Sequence, residues 1–347
     1  MLYPAPHHRG GGLCMSVTVF GAGAIGGILA ARAAAAGDDV AVVARGAHLA
    51  AIQTRGLRFI SGPAEARVED FTVHPRATDR PDTLGPQDLV IITLKGHQIP
   101  GAAAAIASLC GPRTRVVYAI NGIPWWYFHG DTGPLAASGR LPRLDPAGDL
   151  ARLVGAERSI GCVVYQAAEV TAPGEITYTP GNNRFAIGEP NGALSSDLAS
   201  LTERWQRHGW QVDPLPRIRD AIWTKLLGNV SYNPISVLTQ ATMADMGGHR
   251  GVLEVVRRVM QECRDVAEAL GASIEVNIDQ RLYTASKLGA FRTSMLQDFD
   301  RNRPLELDGI VAAVSDLGQI TGVATPTIDT VLALTSLRAQ TAGCLAG

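Results

Sequence analysis

The sequence is poor in the patterns that build disulfide frameworks and metal sites. Its 347 residues include five cysteines, and no two of them form a C-x-x-C or other metal-ligand spacing. The eight histidines show no such spacing either. An odd number of scattered cysteines favours a reduced, cytoplasmic chain over a disulfide-linked secreted one. We therefore expect a cytoplasmic protein that has no metal site.

Clustered charge and long apolar runs are also absent. The formal net charge is −1 and no block of lysine and arginine stands out, which argues against nucleic acid or an anionic membrane as the main partner. No apolar run reaches the roughly 20 residues of a transmembrane helix. Residues 1–14 lack the apolar segment of a signal peptide, and we interpret them as a disordered leader before Met15.

What the sequence does contain is enough chain for two domains, since 347 residues are many for one hydrophobic core. Strand-like segments, among them a predicted strand at 160–167, continue to about residue 216, and only helical periods follow. We predict an α/β fold: a Rossmann-type doubly wound sheet at residues 15–216, then an all-helical domain at 217–347. The irregular stretch at 125–151 is expected either to cover the cleft or to form a subunit contact.

A glycine-rich turn lies near the start of the first predicted domain. A short apolar strand ending at Phe20 leads into Gly21-Ala22-Gly23-Ala24-Ile25-Gly26, and an alanine-rich helix follows. Gly21 permits a tight turn, Gly23 lets the backbone approach a pyrophosphate, and Gly26 lets the helix pack closely on the strand. Phosphates bind the free N–H groups at such a helix N-terminus. Because strand, helix and second strand fit within about 30 residues, the motif predicts dinucleotide binding rather than tight packing alone.

The residue after the second strand indicates which dinucleotide binds. An NAD site would place an acidic residue there to accept the ribose hydroxyls, but this chain has Arg45, while Asp38 and Asp39 come before the strand. A guanidinium at that point suits the 2′-phosphate of NADP(H). The alternative is a solvent-exposed loop arginine without a ligand.

Two later strands are predicted to end in polar residues. The strand at 88–94 is followed by Lys95, and the strand at 115–120 is followed by Asn121 and Gly122. Ligands of open α/β sheets bind at the carboxyl ends of the strands, so Lys95 and Asn121 are candidates to face the cofactor. An exposed loop lysine and a turn-forming Asn-Gly pair are the alternatives.

A polar stripe runs along the helix predicted at 222–236. Lys225, Asn229 and Asn233 fall within about 80° of arc on a helix that advances about 100° per residue, and Ser236 lies in the same arc. Apolar residues of this helix, Trp223 among them, cluster on a different face. The stripe predicts the wall of a polar cleft, with a merely solvated helix face as the alternative.

Two further segments carry polar residues that have ordinary structural explanations. Ser294-Met-Leu-Gln297 has the spacing of a capping box, so Ser294 is interpreted either as a helix cap or as a ligand-binding residue. Pro304-Leu-Glu306 resembles a helix start with proline first and an acid in the first turn.

Taken together, these segments resemble the ketopantoate reductase family (2-dehydropantoate 2-reductase). The resemblance runs from about Ser16 to the last predicted helix. The residues that carry it are Gly21-Ala-Gly-Ala-Ile-Gly26, Lys95, Asn121-Gly122, Lys225-Leu-Leu-Gly-Asn229, Asn233-Pro234, Ser294-Met-Leu-Gln-Asp298 and Glu306. The glycine motif is shared with many dehydrogenases, whereas the segments around Lys225 and Ser294 are specific.

The resemblance implies NADPH-dependent reduction of 2-dehydropantoate to D-pantoate, on the route to pantothenate and coenzyme A. It implies that Lys225 donates a proton to the keto oxygen. It also assigns two sets of contacts. The substrate would be bound by Lys225, Asn229, Asn233, Ser294 and Asn121, and the cofactor by residues 21–26, Arg45, Lys95, Asn121, Ala168 and Glu306.

The chemistry that the resemblance implies agrees with the residues. Hydride transfer to a 2-keto carbon builds negative charge on the oxygen, and a protonated lysine stabilises that charge and supplies the proton. Serine and asparagine side chains would bind the carboxylate without a second buried cation. The oligomeric state stays open, a homodimer included.

Two positions depart from the pattern of the family. The resemblance implies asparagine at the positions where this chain has Phe291 and Met243, and these two residues predict a more apolar pocket. A related reductase or 2-hydroxy acid dehydrogenase acting on a bulkier apolar acid is therefore the first alternative. A non-catalytic NADP(H)-binding sensor is the second, and the presence of Lys225 with its carboxamides argues against it.

Overall fold

The computed structural model describes residues 15–62, 64–133 and 139–345. The predicted leader at residues 1–14 lies outside this part of the chain. Twelve strands occur in the described residues: β1 (Ser16–Phe20), β2 (Asp39–Val43), β3 (Leu57–Ser61), β4 (Glu69–Val73), β5 (Arg76–Thr78), β6 (Gln87–Ile92), β7 (Cys110–Ala119), β8 (Ser159–Val164), β9 (Ala167–Ala172), β10 (Glu175–Thr179), β11 (Arg184–Gly188) and β12 (Gln211–Pro214).

Helices fall mainly in the second half of the chain. The α-helices are α1 (Ala24–Ala35), α2 (Gly46–Arg55), α3 (Ala103–Ala107), α4 (Ser196–Arg207), α5 (Ile218–Thr239), α6 (Met243–Gly248), α7 (Arg250–Ala269), α8 (Ile278–Ser286), α9 (Ser294–Asp300), α10 (Ala313–Thr321) and α11 (Pro326–Thr341). Single π-helical turns occur at Leu150–Val154 and Asp308–Ala312. Short 3₁₀ turns occur at Ala64–Ala66, Pro81–Thr83, Gly96–Gln98, Pro100–Ala102 and Ala156–Arg158. No helix in the described ranges is both long and apolar enough to cross a membrane.

The main sheet has eight strands in the order β12-β11-β8-β7-β6-β1-β2-β5. All of its pairings are parallel except that of β8 with β11. Its central strands are apolar and almost completely buried, as expected for a parallel sheet covered on both faces. The predicted Rossmann-type sheet is confirmed. Its carboxyl edge brings the ends of β1, β6, β7 and β8 together.

A second sheet was not predicted. It has four strands in the order β4-β3-β10-β9, and it packs against α1. The contact is close, because a Cβ placed on Gly27 would lie 2.5 Å from the Ile176 side chain. The prediction of one strand at 160–167 is wrong: the chain leaves the main sheet after Val164 and enters the small sheet at Ala167.

The second half is helical, as predicted, since no strand occurs among the described residues after Pro214. Helix α5 lies at its centre and contacts α7, α9 and α11. Trp223 and the other apolar residues of the predicted helix face are buried. The apolar cluster around α5 continues under the sheet through β6 and β7. A division of the chain at residue 216 into two domains stays a prediction.

The irregular stretch between β7 and β8 is packed inward where the structure describes it. Trp126, Tyr127 and Phe128 are buried, and the indole N–H of Trp223 donates to the Tyr127 hydroxyl at 2.8 Å. The Arg219 guanidinium donates to the backbone carbonyl of Tyr127 at 2.6 Å. These contacts fasten the first part of the stretch to α5. Its expected role in covering the cleft or in subunit contact stays a prediction.

Candidate active site

The glycine motif forms a turn that only glycine satisfies at two positions. Gly21 has φ of +103°, and its N–H donates to the Val43 carbonyl at 3.0 Å. A Cβ on Gly26 would lie 2.1 Å from the Gly21 carbonyl oxygen, so the helix could not approach the strand with any other residue there. A Cβ on Gly23 would meet nothing within 4 Å. The space over Gly23 is therefore open to a ligand, as the motif predicts.

Helix α1 presents its N-terminus to this open space. Gly23 is its N-cap, no side chain caps it, and its first turn contains no acidic residue. Ala24 and Ile25 are only partly buried, and the first N–H groups of a helix have no partner within it. Such an end attracts anions through its N–H groups and the helix dipole. The arrangement suits a pyrophosphate.

Arg45 lies beside the glycine turn. It is the N-cap of α2 and is exposed, two residues after Val43, whose carbonyl accepts from the N–H groups of Gly21 and Ala22. Within the described ranges no carboxylate pairs with its guanidinium. The two nearby acids are occupied: Asp38 pairs with Arg204 and His208, and Asp39 pairs with Arg76 at 3.3 Å.

Lys95 follows β6 and is held by two carboxylates. Its ammonium donates to Asp298 Oδ2 at 2.7 Å and to Glu306 Oε2 at 3.0 Å. Glu306 Oε1 also accepts from the backbone N–H of Gly96 at 2.9 Å. Burial lowers the pKa of Lys95, but the charges of Glu306 and Asp298 outweigh that effect and leave the pKa raised. Lys95 therefore carries a fixed positive charge and ties the sheet to the helical half.

Glu306 contacts Lys95 from a segment whose structure differs from the predicted one. The predicted helix start at 304–306 is wrong, since residues 303–306 are non-helical and the π-helical turn begins at Asp308. Glu306 is 7% exposed, so it is buried against Lys95 and does not act as a solvent-exposed first-turn acid. Its place at the cofactor, implied by the resemblance, stays a prediction.

Lys225 projects from α5 to the ends of two strands. Its ammonium donates to Asn121 Oδ1 at 2.7 Å and to the Val164 carbonyl at 2.5 Å. Asn121 follows β7, and Val164 ends β8, so both acceptors lie at the carboxyl edge of the sheet. Neither acceptor carries a charge. The neighbouring Gly122 has φ of +83° and lies so close to Gly309 that a Cβ would come within 2.2 Å of its carbonyl oxygen.

The environment of Lys225 tunes its acidity. Burial lowers the pKa of Lys225 from its usual 10.5 to about 8, and the electrostatic effects of Cys162 and Glu306 oppose that shift only in part. A lysine with such a pKa is largely protonated at pH 7 and still gives up its proton readily. Those are the properties of an effective general acid near neutral pH.

The other residues of the predicted polar stripe on α5 divide into two groups. Asn229 is partly buried, and Asn233 is 5% exposed with an amide nitrogen that finds no hydrogen-bond partner in the described structure. A buried donor without an acceptor is costly and is typical of a site that binds a ligand. Ser236, by contrast, is fully buried and bonds to Thr293 Oγ1 at 2.7 Å. It joins α5 to α9 and does not line a cleft.

Ser294 does not cap its helix. Thr293 is the N-cap of α9, and its hydroxyl accepts from the Leu296 N–H at 3.2 Å. The capping-box interpretation of Ser294 is therefore wrong: the cap lies one residue earlier, and the third helical residue from it is Leu296, whose side chain cannot complete a box. Ser294 occupies the first helical position with an exposed side chain, which leaves its hydroxyl free to bind a ligand.

Three other predicted positions are now located. Ala168 lies on β9 opposite Tyr178, in the small sheet that packs on α1. Phe291 is 49% exposed, and its carbonyl accepts from the Met243 N–H at 2.9 Å. The Met243 side chain is 5% exposed and packs into the helical core. Of the two departures from the family pattern, only Phe291 presents an apolar surface.

The sequence argument gave no role to several groups at this site. Asp298 was noted only as part of a motif, yet it holds Lys95 at 2.7 Å. The Val164 carbonyl holds Lys225, but a backbone acceptor leaves no signal in residue type. Residues that could hold a metal do not cluster anywhere in the described ranges.

Comparisons with known proteins agree with this geometry. Residues 17–192 match the family model for ketopantoate reductase PanE/ApbA, and residues 217–339 match the model for its C-terminal region. The 2-dehydropantoate 2-reductase of Mesorhizobium japonicum is 45% identical over 331 residues, covering 95% of this chain and 99% of the relative. The corresponding enzyme of Archaeoglobus fulgidus is 26% identical and covers 88% and 92%.

Solved structures show the same architecture. The crystal structure of a provisionally named ketopantoate reductase from Ralstonia solanacearum has a TM-score of 0.88 and 41% identity. The match covers 94% of this chain and 98% of that chain. D-mandelate dehydrogenase, solved with NADH and anilino(oxo)acetate, has a TM-score of 0.79 and 19% identity, covering 94% and 99%. At that identity the second likeness concerns the fold alone.

Proposed function

The chain belongs to the ketopantoate reductase family, and we propose that it catalyses the NADPH-dependent reduction of 2-dehydropantoate to D-pantoate. The observation that carries the proposal is the placement of Lys225. Its ammonium lies at the carboxyl edge of the sheet, and its hydrogen bonds in the described part of the chain go to uncharged oxygens of Asn121 and Val164. It is thus positioned and tuned to serve as an acid at the same edge of the sheet from which the glycine turn leaves β1.

The residues present fit a nicotinamide dinucleotide. The open space over Gly23 and the uncapped N-terminus of α1 suit a pyrophosphate. When bound, the cofactor supplies the hydride that is transferred to the keto carbon. Lys225 stabilises the negative charge that develops on the keto oxygen and then donates a proton to it. Asn229, Asn233 and Ser294 place the substrate, and Asn121 holds the lysine.

Arg45 supports the phosphorylated form of the cofactor. Its unpaired guanidinium stands at the N-terminus of α2, next to the glycine turn, while Asp38 and Asp39 are engaged elsewhere. We expect Arg45→Gln to lower kcat/KM for NADPH about tenfold or more through loss of a charged hydrogen bond. The value for NADH should change little. Equal losses with both cofactors would contradict a role at the 2′-phosphate.

A substrate panel tests the activity. Purified protein is assayed for oxidation of NADPH with 2-dehydropantoate and with 2-oxo acids that carry larger aliphatic or aromatic groups. The proposal requires the highest kcat/KM with 2-dehydropantoate. Turnover of another acid but not of 2-dehydropantoate would contradict the substrate while leaving the reaction class intact.

The half-exposed ring of Phe291 favours one second candidate, a reductase of a bulkier apolar 2-oxo acid. Phe291→Asn separates the two, because restoring the family residue should shift preference towards 2-dehydropantoate only if the ring selects the substrate. Binding of NADPH without oxidation by any 2-oxo acid would instead indicate a non-catalytic sensor.

A further inference from the structure

An arginine occupies the buried side of α8. Ile278, Leu282 and Ala285 are buried on one face of this helix, and Arg281 stands among them at helical spacing. Its own side chain is partly buried. A cation at a core-facing position needs either a carboxylate partner or a ligand, because burying an unpaired charge is costly.

The guanidinium of Arg281 lies against the backbone of α5. A Cβ placed on Gly228 would be 2.9 Å from Arg281 Nη2 and 3.6 Å from its Nε, so the missing side chain of Gly228 is what makes room for the guanidinium. Gly228 is three residues after Lys225, or about 4.5 Å along the helix axis. The Arg281 guanidinium therefore packs against α5 within one helical turn of the position that carries the Lys225 side chain.

No carboxylate neutralises Arg281 within the described residues. Burial lowers the pKa of Arg281, and the titratable groups that face it, Tyr165 and Tyr232, are phenols. Two other arginines of the helical half are paired with carboxylates: Arg257 with Asp279, and Arg292 with Asp300 at 2.7 Å. Arg281 differs from these two in having no carboxylate partner among the described residues. Such a group is typical of a ligand site.

Tyr232 adds a second donor at the same place. Its hydroxyl is buried and has no hydrogen-bond partner in the part of the chain that the structure describes. Burial raises the pKa of Tyr232 to about 12, so the phenol keeps its proton, and Arg281 is the charge that opposes this shift. A guanidinium and a phenol that both lack an acceptor form a site for an anion.

We propose that Arg281 binds the carboxylate of the 2-oxo acid, with the Tyr232 hydroxyl as a second donor, so that the adjacent keto oxygen faces Lys225. This inference rests on the proposed function. It identifies Arg281 as the residue by which the enzyme selects a 2-oxo acid over an uncharged ketone. It adds a charged donor to the serine and asparagine side chains that the sequence predicts at the carboxylate. A planar guanidinium matches a carboxylate in bidentate geometry.

Binding of an unreactive analogue tests the inference without turnover. Oxamate carries the carboxylate of a 2-oxo acid, and oxamide has the same shape without the charge. Each is titrated by calorimetry into the protein saturated with NADPH. Arg281→Gln should raise the Kd of oxamate about 10- to 100-fold, the usual effect of losing a charge-assisted hydrogen bond. The weak binding of oxamide should be unchanged.

Two further variants separate binding from folding. Gly228→Ala displaces the guanidinium but improves a helix interior, so it should weaken oxamate binding while the melting temperature holds or rises. Arg258→Gln removes an exposed arginine of α7, which pairs with Glu254 of that helix at 3.1 Å. That control should leave oxamate binding unchanged.

The outcomes are distinct from those of the substrate panel. Unchanged oxamate binding in Arg281→Gln, equal weakening of oxamate and oxamide, or no oxamate binding by the unmodified protein would each overturn the assignment. Selective loss of oxamate binding supports it. If the proposed reaction fails, NADPH is not oxidised with any 2-oxo acid, whereas the Arg281-dependent binding of oxamate is still measurable.

Discussion

Two lysines stand at the same edge of the sheet in opposite surroundings. The chain has only three lysines, Lys95, Lys225 and Lys287. Lys95 faces the two buried carboxylates of Asp298 and Glu306, and its pKa is raised. Lys225 donates its hydrogen bonds within the described ranges to two uncharged oxygens, and its pKa is lowered to about 8. Burial acts on both, so the charge of the neighbours decides the direction.

This difference separates a structural cation from an acid. A lysine that is held by two carboxylates keeps its proton throughout the physiological range and serves to join the two halves of the molecule. A lysine that is held by an amide oxygen and a backbone carbonyl is fixed in place, and its proton remains available. The predictions below change one side of the comparison at a time.

Removing the Lys225 ammonium should have the largest effect. We expect Lys225→Gln to lower kcat by about 10²–10⁴, because general acid assistance is lost while the dinucleotide site is untouched. Steady-state kinetics with the best 2-oxo acid measures the change, and a fluorescence titration should show unchanged NADPH binding. Lys287→Gln is the matched control, since Lys287 is exposed and lies over the Tyr283 ring at 5.1 Å. A loss of kcat below tenfold in Lys225→Gln would rule out the proposed role.

Sequence reasoning located the two lysines but not what surrounds them. The polar stripe on α5 and the glycine turn could be predicted because helical periodicity and turn chemistry are local properties. The carboxylates at Lys95 could not, since Asp298 and Glu306 are 203 and 211 residues away in the chain. Only packing of the helical half on the sheet brings them together, and that packing has no local signal.

Errors in the predicted elements have the same origin. Residues 160–167 read as one apolar strand, but the chain changes sheets after Val164, and pairing with β10 determines that change. Thr293 and Ser294 are both acceptable caps by residue type, and the bond from Thr293 to Ser236 selects the first. Arg281 is different, because a charged residue within the apolar stripe of α8 is visible in the sequence itself.

The second prediction removes the structural cation. Lys95→Met leaves Asp298 and Glu306 buried side by side without a positive charge, so the free energy of unfolding at pH 7 should fall by about 1–2 kcal/mol. The loss is smaller than for a fully buried pair, because the Lys95 side chain is 38% exposed and solvent screens it. Urea denaturation measures the change. Equal stability of Lys95→Met and the unmodified protein would contradict the assignment.

The third prediction concerns a carboxylate placed next to Lys225, like those that Lys95 already contacts. Reduction requires protonated Lys225, so kcat/KM should be retained below pH 8 and lost as the pH rises through about 8. Asn121→Asp places a carboxylate where Asn121 Oδ1 now lies, 2.7 Å from the ammonium, and should move this alkaline limb upward by about one pH unit or more. Asn121→Ala removes the oxygen that holds the charged form and should move the limb downward. If the limb stays in place in both variants, a group other than Lys225 controls it, and neighbouring charge does not distinguish the two lysines.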